Sequence, residues 1–451
     1  MGQTFSEPVV NDPSLGYVGV ALRSPNKFRL IHAPPEVVHM TERVIGEINN
    51  KGGADYIEVS KQDKYGTTGY SVGSGSCFQL NSGKTSATSG KLFTVLMFEE
   101  MYKLGYDPVV SSDLSRMYDQ ATWFFVKKTS ERPPLRVACL APGKSDTLVM
   151  LRANDRFKEV VRNSIVESWT LGIQHEKEIE SCGETLTEIK LNGNPWIDYA
   201  GAENIQCRQI LIQIFGQLGS INYKLLAGTN IKGGTDSYFF IQDPNYMIIP
   251  ASLCMISFNK YDRLRLVNCV DMASPVRETI SRHFGEIQRE EEKYGSWEFK
   301  LSGNPWCCSG DQAIRSRQLI SRISETILAH GWALTTAIDI TRSLNDKSVL
   351  LYARAQNYTT NFACIALSDI HRVRLLDFSP SHTQQLREVL ERVYLPGVKD
   401  QGQRDNTCYE MDLNGPPWTQ NSSFNLHARY ILYLLFRNKQ ILSPDPLCST
   451  C

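Results

Sequence analysis

The stretch CFQLNSGKTSATSGKLFTVL, from Cys77 to Leu96, holds residues of the right type and order for phosphate chemistry. Ser82, Gly83, Lys84 and Thr85 spell the end of a phosphate-binding loop, where backbone amides wrap phosphate oxygens and the lysine and threonine serve the terminal phosphates and a magnesium ion. Such a loop also needs a glycine five residues before Gly83. Phe78 stands there, and the nearest upstream glycine is Gly75. A strand with apolar side chains does not also form a nest of amides. Asp113, after an apolar PVV, is placed to hold magnesium, but Asp339 occupies the same place in a later copy that has no SGKT. The loop reads as a lookalike. Lys84 and Thr85 remain the candidate anion-binding pair, at a helix start that favours negative charge.

Other chemistry is sparse. The eight histidines form no metal-ligand spacing, and no nucleophile signature flanks them. The twelve cysteines are scattered without the pairing of a zinc site, which predicts free thiols in a reducing compartment. Cys307 and Cys308 sit together in a loop. The expectation is no catalytic set, no cofactor and no metal. Lysine plus arginine equals aspartate plus glutamate, so no overall field draws nucleic acid. No apolar run approaches the roughly 20 residues that span a bilayer.

The termini carry a different signal. Met-Gly-Gln-Thr-Phe-Ser fits the acceptor pattern for N-myristoylation of Gly2. One such chain binds membranes only marginally, so stable anchoring needs a second signal. No N-terminal cysteine offers a palmitate site, and Arg23, Lys27 and Arg29 make only a thin basic cluster; palmitoylation of Cys448 or Cys451 in the closing Cys-Ser-Thr-Cys is a looser option beside a pair of ordinary free thiols, and neither Ser449 nor Thr450 is aliphatic as prenylation at Cys448 requires.

What organises the chain is repetition. LTEIKLNGNPW (186–196), SWEFKLSGNPW (296–306) and CYEMDLNGPPW (408–418) place Trp196, Trp306 and Trp418 at intervals of 110 and 112 residues. Each segment precedes an apolar helix; in the middle copy Leu319, Ile323 and Ile327 share one face. Strand pairs such as CMISFNKYDRLRLVN and CIALSDIHRVRLLD recur before a second, amphipathic helix. The pattern predicts an α+β fold of tandem units of about 110 residues, ββαβαββ, with largely antiparallel sheets and helices packed on one face. The expected divisions are a flexible segment at 1–16, units at 17–130, 131–244 and 245–358, an incomplete unit at 359–443, and a tail at 444–451. The first strands would pair with the incomplete unit and close a ring.

Within this scheme SGKT fills the slot that the other copies give to NGNPW or NGPPW. The Pro-Trp turns are read as structural, the proline ending a strand and the tryptophan capping the core. Arg29, Arg265 and Arg374 alternate with apolar neighbours, which predicts the outer face of a half-buried strand, solvated or paired with a cross-strand carboxylate. They also outline a shared anion-binding stripe. The acidic run EIQREEEKYG (286–295) reads as a solvated helix end. The function expected is a non-enzymatic binding or scaffold protein for protein partners, cytoplasmic and held at a membrane surface through acylated Gly2. A small-ligand sensor or enzyme with a phosphate groove near Lys84 and Thr85 is the alternative, and a self-associating structural protein the third.

Overall fold

A computed structural model describes residues 16–23, 27–50, 62–64, 67–71, 84–112, 121–197, 202–231, 235–341, 348–419, 429 and 431. The first unit comprises β1 (Tyr17–Arg23), β2 (Lys27–Ile31), α1 (Pro35–Asn50), β3 (Gln62–Lys64), β4 (Thr67–Ser71), α2 (Lys84–Lys103), β5 (Tyr106–Ser112) and β6 (Thr122–Lys127). The second runs β7 (Val137–Gly143), β8 (Thr147–Leu151), α3 (Asp155–Ser168), β9 (Ile173–Ser181), β10 (Glu184–Leu191), α4 (Ala202–Ser220), β11 (Tyr223–Thr229) and β12 (Ser237–Gln242). The third runs β13 (Leu253–Asn259), β14 (Arg263–Val267), α5 (Ala273–His283), β15 (Ile287–Lys293), β16 (Ser296–Leu301), α6 (Gly310–Ala329), β17 (Trp332–Ile338) and β18 (Val349–Arg354). The fourth holds β19 (Cys364–Ser368), β20 (Arg372–Leu376), α7 (Pro380–Val393), β21 (Val398–Asp405) and β22 (Cys408–Leu413), with Arg429 and Ile431 helical beyond.

The expected α+β repeat is present, and its strands pair antiparallel. The three full sheets share one order, β3-β4-β2-β1-β6-β5, β9-β10-β8-β7-β12-β11 and β15-β16-β14-β13-β18-β17; the fourth has the matching part, β21-β22-β20-β19. Backbone detail repeats too. The residue that follows the second strand of each unit, His32, Arg152, Asn268 and Asp377, has positive φ. Asn and Asp tolerate this conformation, and Asn268 steadies it by donating from Nδ2 to Leu253 O at 2.6 Å.

Each unit's helices cover one face of its own sheet, and its second helix also covers the back of the next sheet. Thus α2 packs with Val18, Val20 and Phe28 on one side, and with Val137, Cys139 and Phe239 of the second unit on the other. Burial on both sides explains α4, whose Ile205, Ile210, Leu211, Ile212, Ile214 and Phe215 are all buried around its circumference. Gly216 within α4 lets the helix approach Pro250 closely, where a Cβ would collide with the proline backbone. The last seam closes the array. Tyr17, Ala21, Ile31, Phe124 and Val126 on the back of the first sheet share a core with Val373, Leu390, Trp418 and Ile431 of the fourth unit. Four sheet–helix modules therefore form a ring, with β11 neighbouring both β5 and β17. Closure is by face packing. The expected strand pairing does not occur, since β1 is flanked by β2 and β6.

The unit has one strand more than ββαβαββ: it is ββαββαββ. The additional strand is β3, β9, β15 or β21, at a sheet edge. β9 and β21 are polar and mostly exposed, so no apolar alternation announces them. Charge on an edge also discourages pairing with other chains. EIQREEEKYG accordingly contains a strand, not a helix end: Glu290, Glu291 and Glu292 lie in β15, paired with β16. The first unit's register is corrected as well. β4 holds the place of β10, β16 and β22, because it pairs with β2 as they pair with β8, β14 and β20. Residues 72–83, with Cys77–Leu80 and Ser82–Gly83, lie outside the described residues.

Candidate functional site

The Pro-Trp turns have the same surroundings in three units. Trp196, Trp306 and Trp418 are buried. Each backbone N–H donates to the carbonyl at the tip of its unit's first hairpin: Trp196 to Ser145 at 3.1 Å, Trp306 to Tyr261 at 3.0 Å and Trp418 to Ile370 at 3.3 Å. Nε1 of Trp306 donates to Arg263 O at 2.8 Å and Nε1 of Trp418 to Arg372 O at 3.1 Å. The preceding Gly193, Gly303 and Gly415 have φ of 78°, 71° and 76°, which a side chain would strain. These turns clamp hairpin to helix, as the sequence suggests.

The repeated arginines lie at the seams. Period two places Ser257, Asn259, Arg263 and Arg265 on the back of the third sheet. That face is covered by α4, so Arg265 is 4% exposed and not on a solvated surface. β14, which carries Arg265, is packed on both sides, where its alternation in sequence reads as a half-buried strand. Arg265 Nε donates to its cross-strand partner Glu298 at 2.5 Å, Arg263 Nη1 to the same carboxylate at 2.9 Å, and Arg265 Nη1 to Asn204 Oδ1 at 2.6 Å. The fourth unit repeats this: Arg374 Nε donates to Glu410 at 2.6 Å, and Arg372 Nε to Asp412 at 2.6 Å. The Arg372 contact holds the Asp412 carboxyl below the usual carboxylate range.

A second cation approaches each seam from the helix above it. Arg208 Nη1 donates to Asn204 O, Arg317 Nη1 to Ala313 O at 3.0 Å, and Lys91 Nζ to Ala87 O at 3.5 Å, each one turn back along its helix. The fourth member is Arg429, buried, whose Nε donates to Thr122 Oγ1 of the first sheet at 2.8 Å. This row was missed in the sequence, although NIQCRQIL, AIRSRQLI and NLHARYIL align it by eye. Also missed were the glutamates. Glu188, Glu298 and Glu410 occupy one position in the three Trp-bearing segments.

The first unit differs at that position. Arg29 is paired across the ladder with Gly69, where Arg265 has Glu298 and Arg374 has Glu410. The same face carries Arg23 and Lys27, which are a cross-strand pair. Burial, followed by the charges of Arg23 and Arg429, pushes the pKa of Arg29 down from the ordinary arginine value. Among the described residues no carboxylate forms an ion pair with Arg29 or Arg23.

One domain-family model matches the chain three times, over residues 136–245, 252–353 and 361–438, together well over half its length. The chain belongs to this family. The three matched family domains are the second, third and fourth units; the first, with its Gly69 and its rebuilt link to α2, shares their sheet order and left-handed residue without matching the model. A search of curated proteins finds no match, and neither does a search of solved structures.

Lys84 and Thr85 open α2, but their side chains, like Gly2, Cys448, Cys451 and Asp113, lie outside the described residues. Asp339 has a structural role: its N–H donates to Asp236 Oδ2 at 2.8 Å, and its carbonyl accepts from Asp236 N at 2.9 Å, tying the second unit to the third. Cys308 Sγ donates to Pro305 O at 3.0 Å beside an exposed Cys307. The nine described cysteines form no disulfide. Among the described residues no group of three or more His, Cys, Asp or Glu side chains is arranged to hold a metal, and no helix is long and apolar enough to cross a membrane.

Proposed function

We propose that this protein is a repeat-built binding or scaffold protein, reversibly tethered to a membrane surface through an N-myristoylated Gly2. The observation that carries the scaffold reading is a repeated presentation. Tyr261 and Ile370, at the same hairpin tip of two family domains, are each 52% exposed while the tryptophan beneath each is buried. A clamped tip that offers an apolar side chain suits protein partners, and the array carries two such tips, in its third and fourth units. The tether is supported by the Met-Gly-Gln-Thr-Phe-Ser terminus and by the basic Arg23, Lys27 and Arg29 in the first strands after it.

Proximity labelling of the intact protein and of Gly2→Ala in cells tests both parts. A reproducible set of soluble partners is expected with each, and membrane-protein labels are expected to fall at least about tenfold in the variant, the loss of one acyl chain removing most of a marginal affinity. Identical membrane labelling would remove the tether, and the absence of any reproducible set would remove the scaffold.

A further inference from the structure

We propose that the seam between the fourth and first units is a binding site for a phosphate-bearing anion, held by Arg23, Lys27 and Arg29 with Arg429 approaching from the helix above. The four copies differ at one place in the ladder. The second unit has Val149 opposite Glu188 at this position, and Glu188 is satisfied by Lys177 at 2.8 Å. The third has Arg265 against Glu298, and the fourth Arg374 against Glu410. The first has Arg29 against Gly69. It also gains Arg23, where the third and fourth units have the neutral Asn259 and Ser368.

The consequence is electrostatic and steric together. A guanidinium taken out of water needs a compensating negative group, and the neighbouring cations here make that need larger. Gly69 removes the carboxylate and leaves no side chain in its place. Arg29 and Arg23 are half-buried, so a ligand in solution can reach them. Two guanidinium forks and an ammonium match the oxygens of a phosphate, which accepts bidentate pairs, better than a single carboxylate. The site is distinct from Lys84 and Thr85, and it does not rest on acylation of Gly2. The phosphate belongs either to a free polyphosphorylated molecule or to a lipid headgroup, and the experiment separates them.

The unacylated full chain is titrated with inorganic phosphate, with inositol hexakisphosphate, and with phosphatidylcholine vesicles with or without phosphatidylinositol bisphosphate, by calorimetry and sedimentation. Binding to at least one phosphate probe is expected, weakened about tenfold or more by Arg29→Gln, since one charge-assisted contact is lost. Gly69→Glu restores the carboxylate of the other units; it is expected to abolish binding while melting at or above the temperature of the unliganded parent. Binding to vesicles alone identifies a lipid headgroup, and binding to the soluble probes alone a free phosphate; both support the site. The proposal is overturned if no probe binds. It is equally overturned if Gly69→Glu and Arg29→Gln bind as the parent does, or if Lys84→Ala removes the binding instead.

Discussion

Glu298→Gln is expected to destabilise the protein by about 3–5 kcal/mol, because it leaves a buried cation without its counter-charge. Arg265 and Glu298 are 4% and 3% exposed, and the same carboxylate accepts from Arg263. The glutamine keeps the shape and one acceptor but not the charge, so the loss measures the ion pair rather than the packing. The pair lies between the second and third units, so urea unfolding is expected to show an earlier transition and hydrogen exchange to rise first in β14 and β16. The companion variant is Arg265→Met with Glu298→Leu. Replacing both partners by apolar groups of similar size is expected to recover most of the loss, as removal of a whole buried pair is often nearly neutral. If Glu298→Gln unfolds like the parent, the seam is hydrated and the network is not a structural element.

Trp306→Ala is expected to cost about 3–5 kcal/mol, the usual range for deleting a buried aromatic side chain. Its ring meets Phe258 edge-on at 4.8 Å between centroids, and its Nε1 donates to Arg263 O. Trp306→Phe keeps most of the burial but leaves that carbonyl unpaired, which costs about 1–3 kcal/mol. Chemical denaturation followed by circular dichroism checks the order, parent above Phe above Ala. An alanine variant within about 0.5 kcal/mol of the parent, the size of an ordinary surface effect, would show that the turn does not clamp the hairpin.

Much of the architecture was legible because it rests on features that repeat. Three tryptophans at even intervals, each between an apolar strand and an apolar helix, mark repeated modules, and the structure gives their backbone N–H groups matching acceptors. The edge strands were not legible, because β9 and β21 bury almost nothing and so have no hydrophobic period to read. The two-sided burial of β14 was missed because its arginines, alternating with leucines, suggested a face turned to water. They have a carboxylate instead, and the carboxylate was in view: Glu188, Glu298 and Glu410 stand in the three segments that define the repeat. Comparing them with the first unit needed the strand register, since β4 lies upstream of the Cys77–Leu80 segment that resembles its counterparts by sequence. Gly69 therefore emerged only from the pairing of β4 with β2.

Ring closure was the weakest inference from the sequence and is the strongest claim of the fold. It covers Tyr17, Ala21, Ile31, Phe124 and Val126, which would otherwise leave an apolar sheet face open to water. It also creates the seam to which the anion is assigned. Small-angle scattering of the full chain tests it most directly. A closed ring of four packed modules predicts a radius of gyration near the compact value for this length, about 22 Å. Four modules strung out with the first sheet uncovered would give roughly 30 Å or more by the same scaling applied to separate domains, and that result would contradict the account.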